Sequence, residues 1–153
     1  MATELAALDE TQYVTFALAG QEYGVDILRV HEIRGYSPIT PIPHARPHVK
    51  GVMNLRGTVI PVIDLRLALR LPPAECTPFT VIIVVAVGPR VVGLVVDAVS
   101  EVLTLPRVDV QAPPALATDV EGRFVQGLAR AAGALVILLD LDVMLGGDEP
   151  GSW

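Results

Sequence analysis

Two histidines stand at a spacing that could bind a metal ion. His44 and His48 are four residues apart, which would place two imidazole ligands on one face of a helix, and imidazole is a common zinc ligand. Pro43 and Pro47 interrupt any helix here, and neither a cysteine pair nor a carboxylate cluster lies beside the histidines. We therefore expect surface loop histidines and no metal site.

The residue types that act as nucleophiles are equally isolated. None of Ser37, Ser100 and Ser152 lies in a Gly-x-Ser-x-Gly turn. Cys76 lies in a proline-rich stretch with no companion thiol and no neighbouring base to activate it. The glycine-rich motifs that bind phosphate groups are absent from the sequence. We therefore expect a protein that is not an enzyme and that has no cofactor.

The charge balance argues against two classes of partner. The formal net charge is −6, and the eleven Lys and Arg residues are scattered along the chain. Nucleic acids and anionic membrane surfaces select clustered basic residues. The first residues carry no secretory signal, and the longest uncharged stretch, 76–89, is shorter than the ~20 residues of a membrane-spanning helix. We therefore expect a cytoplasmic protein without direct membrane insertion.

The apolar residues predict a mainly β protein. They make up 52% of the chain while aromatic residues make up only 5%, so the core must be aliphatic. Valine and isoleucine favour strands because their branched side chains fit a pleated surface. Turn signals divide the chain into seven to ten short strands, a spacing typical of an antiparallel barrel or sandwich. Strands are expected within 12–27, 33–51, 51–66, 80–88, 90–105 and 123–141, and short helices within 26–33, 64–73 and 142–147.

Four segments of the chain resemble the CheW family of bacterial chemotaxis coupling proteins. They occur in the order that the family shows, and the resemblance spans roughly residues 12–146. The segments are EYGVDILRVHEIRGY (22–36), GVMNLRGTVIPVIDLR (51–66), RVVGLVVDAVSEVLTL (90–105) and FVQGLARAAGALVILLDLDVML (124–145).

The resemblance implies a specific fold for this mainly β chain. It implies one CheW-like domain over 12–146, made of two five-stranded SH3-like β-barrels that share a hydrophobic core, with short helices. We place one sub-barrel at about 12–70 together with the closing C-terminal segment, and the other at about 78–140. Residues 1–11 and 147–153 are then expected to be flexible termini.

The implied function is that of a non-enzymatic adaptor in a two-component system. A CheW-like adaptor couples chemoreceptors (methyl-accepting chemotaxis proteins) to the CheA histidine kinase, by binding the receptor's cytoplasmic tip and the regulatory domain of the kinase. It is cytoplasmic, is recruited to membrane-associated receptor arrays, and can meet other CheW-like domains there. An alternative is a regulatory module that binds a small ligand or a protein in a non-flagellar chemosensory pathway.

The resemblance also implies which residues contact the receptor. Each has a purely structural alternative: a solvated turn tip for the arginine, local backbone bonding for the asparagine, the solvent face of a turn for the glutamate, and core packing for the valines. The kinase-contacting residues are not identified, and we expect them on the surface of the first sub-barrel. The implied receptor-contact residues are Val30, Glu32, Asn54, Arg56, Val81, Val99 and Val102.

Overall fold

The computed structural model describes residues 10–112, 124–131 and 133–145. Within these residues the chain forms ten strands, two short α-helices and two 3₁₀ turns, at Ile27–Arg29 and Arg107–Asp109. The helices are α1 (Leu65–Ala68) and α2 (Leu141–Leu145). The strands are β1 (Glu10–Leu18), β2 (Gln21–Asp26), β3 (Val30–Gly35), β4 (Val49–Leu55), β5 (Thr58–Asp64), β6 (Val81–Val87), β7 (Arg90–Val96), β8 (Ala98–Pro106), β9 (Val125–Ala131) and β10 (Ala134–Leu139).

The strands form two five-stranded sheets with the same pairing scheme. Sheet A has the order β8-β1-β2-β10-β9, and sheet B has the order β3-β6-β7-β5-β4. Each sheet contains three antiparallel pairs and one parallel pair, β2 with β10 in sheet A and β7 with β5 in sheet B. The mainly β fold with two five-stranded sheets agrees with the sequence prediction.

Sheet B is inserted between two parts of sheet A. All its strands lie between residues 30 and 96, whereas sheet A combines β1 and β2 with β8, β9 and β10. The two predicted sub-barrels, about 12–70 with the closing C-terminal segment and about 78–140, therefore each contribute strands to both sheets, and the division itself stays a prediction. The physical reason is that β1 takes β8 as its neighbour, from Glu10 opposite Pro106 to Ala17 opposite Ala98.

Several predicted elements are shorter or divided in the structure. The predicted strand 90–105 is two strands, because the chain leaves sheet B at Asp97 and enters sheet A. The predicted helical turn at 26–33 is limited to Ile27–Arg29, since β3 begins at Val30 and pairs with β6. The predicted two-turn helix at 64–73 is limited to α1, and the positive φ of 59° at Arg70 ends the helical path.

Three apolar clusters hold the sheets together. The largest draws side chains from both sheets, including Phe16 and Leu18 of β1 and Ile83 and Val85 of β6, and we refer to it as the shared core. The other two belong to one sheet each: one includes Ile82 and its neighbours in sheet B, the other lies within sheet A. Strand β6 reads as a continuous apolar run because its two faces enter two different clusters.

Hydrogen bonds also connect the two edges of each sheet. Thr40, which follows β3, exchanges two bonds of 2.9 Å with Val52 of β4. Gln111, which follows β8, exchanges two bonds of 2.8 Å with Leu128 of β9. These links bring opposite edges together, as barrel closure requires. The SH3-like barrels themselves stay a prediction.

The described ranges contain only short helices. None of their helices has the length and apolar character needed to cross a bilayer.

Candidate partner-binding site

Residues 54–57, with the sequence NLRG, form the turn between β4 and β5, which we call the NLRG turn. Two of its residues have a positive φ. Arg56 has a φ of 51° and Gly57 a φ of 87°, the backbone pattern of a type I′ hairpin turn. The Oδ1 atom of Asn54 accepts a hydrogen bond of 2.7 Å from the amide of Gly57. Asn54 therefore stabilises the turn locally, and the turn projects the Arg56 side chain, which is 73% exposed.

Glu32 lies across the sheet edge from this turn and binds Arg56. The Nη2 atom of Arg56 donates a hydrogen bond of 2.7 Å to Oε2 of Glu32. The other carboxylate oxygen of Glu32 is buried, lies 3.8 Å from Nη1 of Arg34 and accepts no hydrogen bond within the described ranges. The fold thus brings Glu32, Asn54 and Arg56 together at one end of sheet B.

The four predicted valines lie on the faces of the sheets that form the shared core. Residues directly opposite each other in an antiparallel pair point to the same face. Val30 is opposite Val85, and Val99 and Val102 are opposite Phe16 and Val14. All three of these opposite residues are buried in the shared core.

These valines differ in exposure. Val30, Val81 and Val99 are partly buried and pack against the shared core, so the core-packing alternative holds for part of each side chain. Val102 is 51% exposed although it lies on the same face of β8. The shared core therefore continues to the molecular surface along the edge strands β3 and β8.

Sequence reasoning missed one exposed apolar residue in this region. Ile33 of β3 is opposite Ile83 of the shared core and is 44% exposed. It was assigned to a helical turn, although its position between the charged Glu32 and Arg34 is the alternation of a half-buried strand. We define the apolar rim as Val30, Ile33, Val81, Val99 and Val102.

Two ion pairs lie where the chain crosses between the sheets. In the first, the guanidinium of Arg66 donates to both carboxylate oxygens of Asp97, at 2.8 Å and 2.5 Å. In the second, the guanidinium of Arg29 binds both oxygens of Asp142. The bonds from Arg66, with a further one from the Ala19 amide, hold the pKa of the Asp97 carboxyl below its ordinary value.

The groups considered for metal or nucleophilic chemistry are dispersed. In the part of the chain that the structure describes, no three His, Cys, Asp or Glu side chains converge as a ligand set. His48 is partly buried, and burial together with the charge of Arg46 lowers its pKa. Cys76 is exposed.

Comparison with known proteins gives one consistent result. The sequence model of the CheW-like domain matches residues 12–149. Chemotaxis protein CheW of Rhizobium meliloti (strain 1021) is 44% identical over 138 residues, covering 90% of this chain and 89% of the relative. Chemotaxis protein CheW of Klebsiella aerogenes is 39% identical over 138 residues, covering 90% and 83%. The crystal structure of scaffolding protein TtCheW from Thermoanaerobacter tengcongensis superposes with a TM-score of 0.83 at 33% identity, covering 92% of this chain and 96% of that one.

Proposed function

The chain belongs to the CheW-like domain family, and from this premise we propose that it is a non-enzymatic adaptor between chemoreceptors and the CheA histidine kinase. One surface binds the cytoplasmic tip of the receptor and a second surface binds the regulatory domain of the kinase. The adaptor then transmits a coupling free energy between the receptor state and the kinase state, which requires no chemistry of its own.

The apolar rim is the observation that carries the receptor site. Ile33 and Val102 are 44% and 51% exposed next to the shared core, and apolar residues that continue a core to the surface suit a protein–protein contact. An amphipathic helix suits a site of this kind, because its apolar stripe can continue the shared core. We therefore place the receptor helix along the rim residues of β3 and β8.

The polar end of sheet B supplies the second part of this site. Arg56 projects from a rigid turn, and its guanidinium has donor groups left over after the bond to Glu32. Guanidinium groups of this kind make planar, multi-donor hydrogen bonds to partner surfaces. Glu32 holds the Arg56 side chain in one direction before the receptor arrives, which lowers the entropy that binding costs.

The kinase binds a separate surface in this proposal, so that both partners are held at once. Its contact residues are expected on the first sub-barrel, away from the rim. The adaptor is cytoplasmic and reaches the membrane-associated receptor arrays through the receptors themselves, where it also meets other CheW-like domains.

Binding of the purified chain to two fragments tests the proposal. The fragments are the cytoplasmic tip of a chemoreceptor and the regulatory domain of CheA, both from the organism that encodes the chain. We expect wild type to bind both fragments. Arg56→Glu places a carboxylate beside Glu32, so we expect it to lose the receptor and to keep the kinase.

The matched control is Arg130→Glu, which makes the same charge change at an exposed position of β9, a strand of sheet A that carries no rim residue. It should bind the receptor fragment as wild type does. If wild type binds neither fragment, the coupling function is wrong although the family membership stands. If both variants lose the receptor equally, net charge rather than the turn controls binding.

A further inference from the structure

We propose that the ion pairs Arg29–Asp142 and Arg66–Asp97 position the apolar rim for the receptor. This inference rests on the proposed function, because it concerns the geometry of that same site. The four residues are not expected to touch the receptor. They act by fixing the starting points of the two strands that carry most of the rim.

The two pairs occupy equivalent places in the fold. The chain crosses between the sheets twice before β9: from β2 to β3 through Ile27–Arg29, and from β7 to β8 at Asp97. Each crossing leads directly into an edge strand of the next sheet. Val30 follows Arg29 immediately, and Val99 comes two residues after Asp97.

At each crossing, a charged residue that follows one strand binds a short helix, and that helix follows the parallel strand next to it in the sheet. Strands β5 and β7 are parallel, and Asp97 after β7 binds Arg66, the second residue of α1 after β5. Strands β2 and β10 are parallel, and Arg29 after β2 binds Asp142, the second residue of α2 after β10. The same connection is therefore made twice.

The charges of the two pairs are reversed. In the Arg66–Asp97 pair the helix carries the arginine and the crossing carries the aspartate. In the Arg29–Asp142 pair the helix carries the aspartate and the crossing carries the arginine. Equivalent places thus tolerate either orientation of charge. What the fold repeats is the bidentate link itself, which fixes two planar groups relative to each other.

Further hydrogen bonds hold both crossings in place. Asp97 also accepts a bond of 3.0 Å from the amide of Ala19, and its own amide donates to the carbonyl of Ala17. The crossing into β8 is therefore attached to α1 of sheet B and to the β1–β2 hairpin of sheet A. At the other crossing Asp26 accepts from the amide of Leu28 at 2.9 Å, which caps the 3₁₀ turn before β3.

Edge strands depend on such attachments more than central strands do. Among the strands that the structure describes, β3 pairs only with β6, and β8 pairs only with β1. Each is held along one side, and a bulge interrupts each pairing, between Val30 and Glu32 and beside Thr15. A crossing that moves would displace the edge strand that follows it and the rim residues on that strand. Binding sites tolerate displacements of only about 0.5 Å.

The Arg29–Asp142 pair allows a test without unfolding the protein. Its side chains are 39% and 45% exposed, and ion pairs as exposed as this one contribute little to stability. Three full-length variants are compared with wild type: Arg29→Asp, Asp142→Arg, and the double variant that carries both changes. The control is Arg130→Asp, which reverses an exposed charge on β9 opposite Leu135, near the start of β10, whereas α2 follows the end of β10.

Two measurements are made on each variant: affinity for the receptor tip fragment, and hydrogen–deuterium exchange of the β3 amides. The single variants should bind the receptor about five- to tenfold more weakly. Their β3 amides should exchange faster, while the melting temperature falls by no more than about 3 °C. The double variant should recover both affinity and protection, because it restores the pair with the charges exchanged.

Three results would contradict the positioning role of the ion pairs. Unchanged β3 exchange in the single variants overturns the positioning role, even if the wild-type chain fails to bind the receptor and the proposed function is wrong. Wild-type affinity in the single variants also overturns it. Weak binding that the double variant does not restore shows that Arg29 or Asp142 contacts the receptor directly, which contradicts positioning.

Discussion

Gly51 shows how closely one backbone position is constrained. It lies on β4 with a φ of +149°, and a Cβ atom placed there would lie 2.0 Å from the carbonyl oxygen of Thr40. That carbonyl accepts the hydrogen bond from Val52 that links the two edges of sheet B. Only glycine allows the link to form at this distance.

We therefore expect Gly51→Ala to destabilise the protein by about 2 kcal/mol or more, because it combines a positive φ with a backbone collision. Urea unfolding at neutral pH measures this. Gly35→Ala is the control, since nothing lies within 4 Å of a Cβ atom at Gly35. Equal stability of the two variants would show that the Thr40–Val52 link does not constrain the fold.

Asp97 gives the stability a defined dependence on pH. Its hydrogen bonds lower the pKa below the ordinary value of 3.8 that applies to the unfolded chain. The stabilisation is then fully present above about pH 4 and is lost as the pH falls through the lower pKa of the folded state. The difference in unfolding free energy between wild type and Asp97→Asn should be larger at pH 6 than at pH 2.5. A difference that does not change with pH contradicts this role for Asp97.

Single residues were predictable from sequence only where their role is local. The Arg56-Gly57 turn follows from two adjacent residues, and the structure has it between β4 and β5. The bond between Glu32 and Arg56 joins residues from opposite edges of sheet B, so it depends on how five strands are ordered. No local pattern encodes that order.

At the scale of elements, the position of a strand in its sheet decides how exposed a valine is. Val102 is 51% exposed on β8, whereas Val84 on the central strand β6 is fully buried. Both are valines in runs that are predicted to be strands, and the residue type alone does not distinguish them. The difference arises because β6 is covered on both faces and β8 lies at a sheet edge.

Truncating these two valines should therefore give opposite results. Val84→Ala should cost about 2 kcal/mol of stability because it leaves a cavity, with little effect on receptor affinity once folded. Val102→Ala should cost less than about 0.5 kcal/mol and should weaken receptor binding. Chemical unfolding and a binding titration measure the two quantities. Normal receptor affinity of Val102→Ala would remove β8 from the proposed site.

The division of 90–105 into β7 and β8 explains one limit of prediction at this scale. Apolar residues continue on both sides of Asp97, so the run reads as one strand. The charged Asp97 was the only signal of a boundary, and a single charge is also found inside edge strands. The boundary became evident only from the pairing of β7 with β6 and of β8 with β1.

At the scale of the whole molecule, the shared core makes the two sheets depend on each other. Composition and turn spacing were sufficient to predict a mainly β fold with up to ten strands. The insertion of sheet B into sheet A was not predictable, because β1 and β8 are separated by about 80 residues and many strand orders fit the same pattern.

A fragment of residues 27–96 contains every strand of sheet B but should not fold alone. Its buried Ile83, Val85 and Leu94 pack in the core that sheet A completes. We expect no cooperative thermal transition by circular dichroism, whereas the full chain melts in one step. A cooperative transition of the fragment would show that sheet B is stable without the shared core.

The insertion also dictates the order in which the chain becomes able to fold during synthesis. Strands β1 and β2 leave the ribosome first, with Phe16 and Leu18 uncovered, and β8 follows only about 80 residues later. At ~5–20 residues per second this interval lasts roughly 4 to 16 s. All strands of sheet B, which are contiguous in the chain, leave the ribosome within that time, and their apolar residues become available to the waiting hairpin. The β1–β2 hairpin is thus the part of sheet A that waits longest for its neighbouring strands during synthesis.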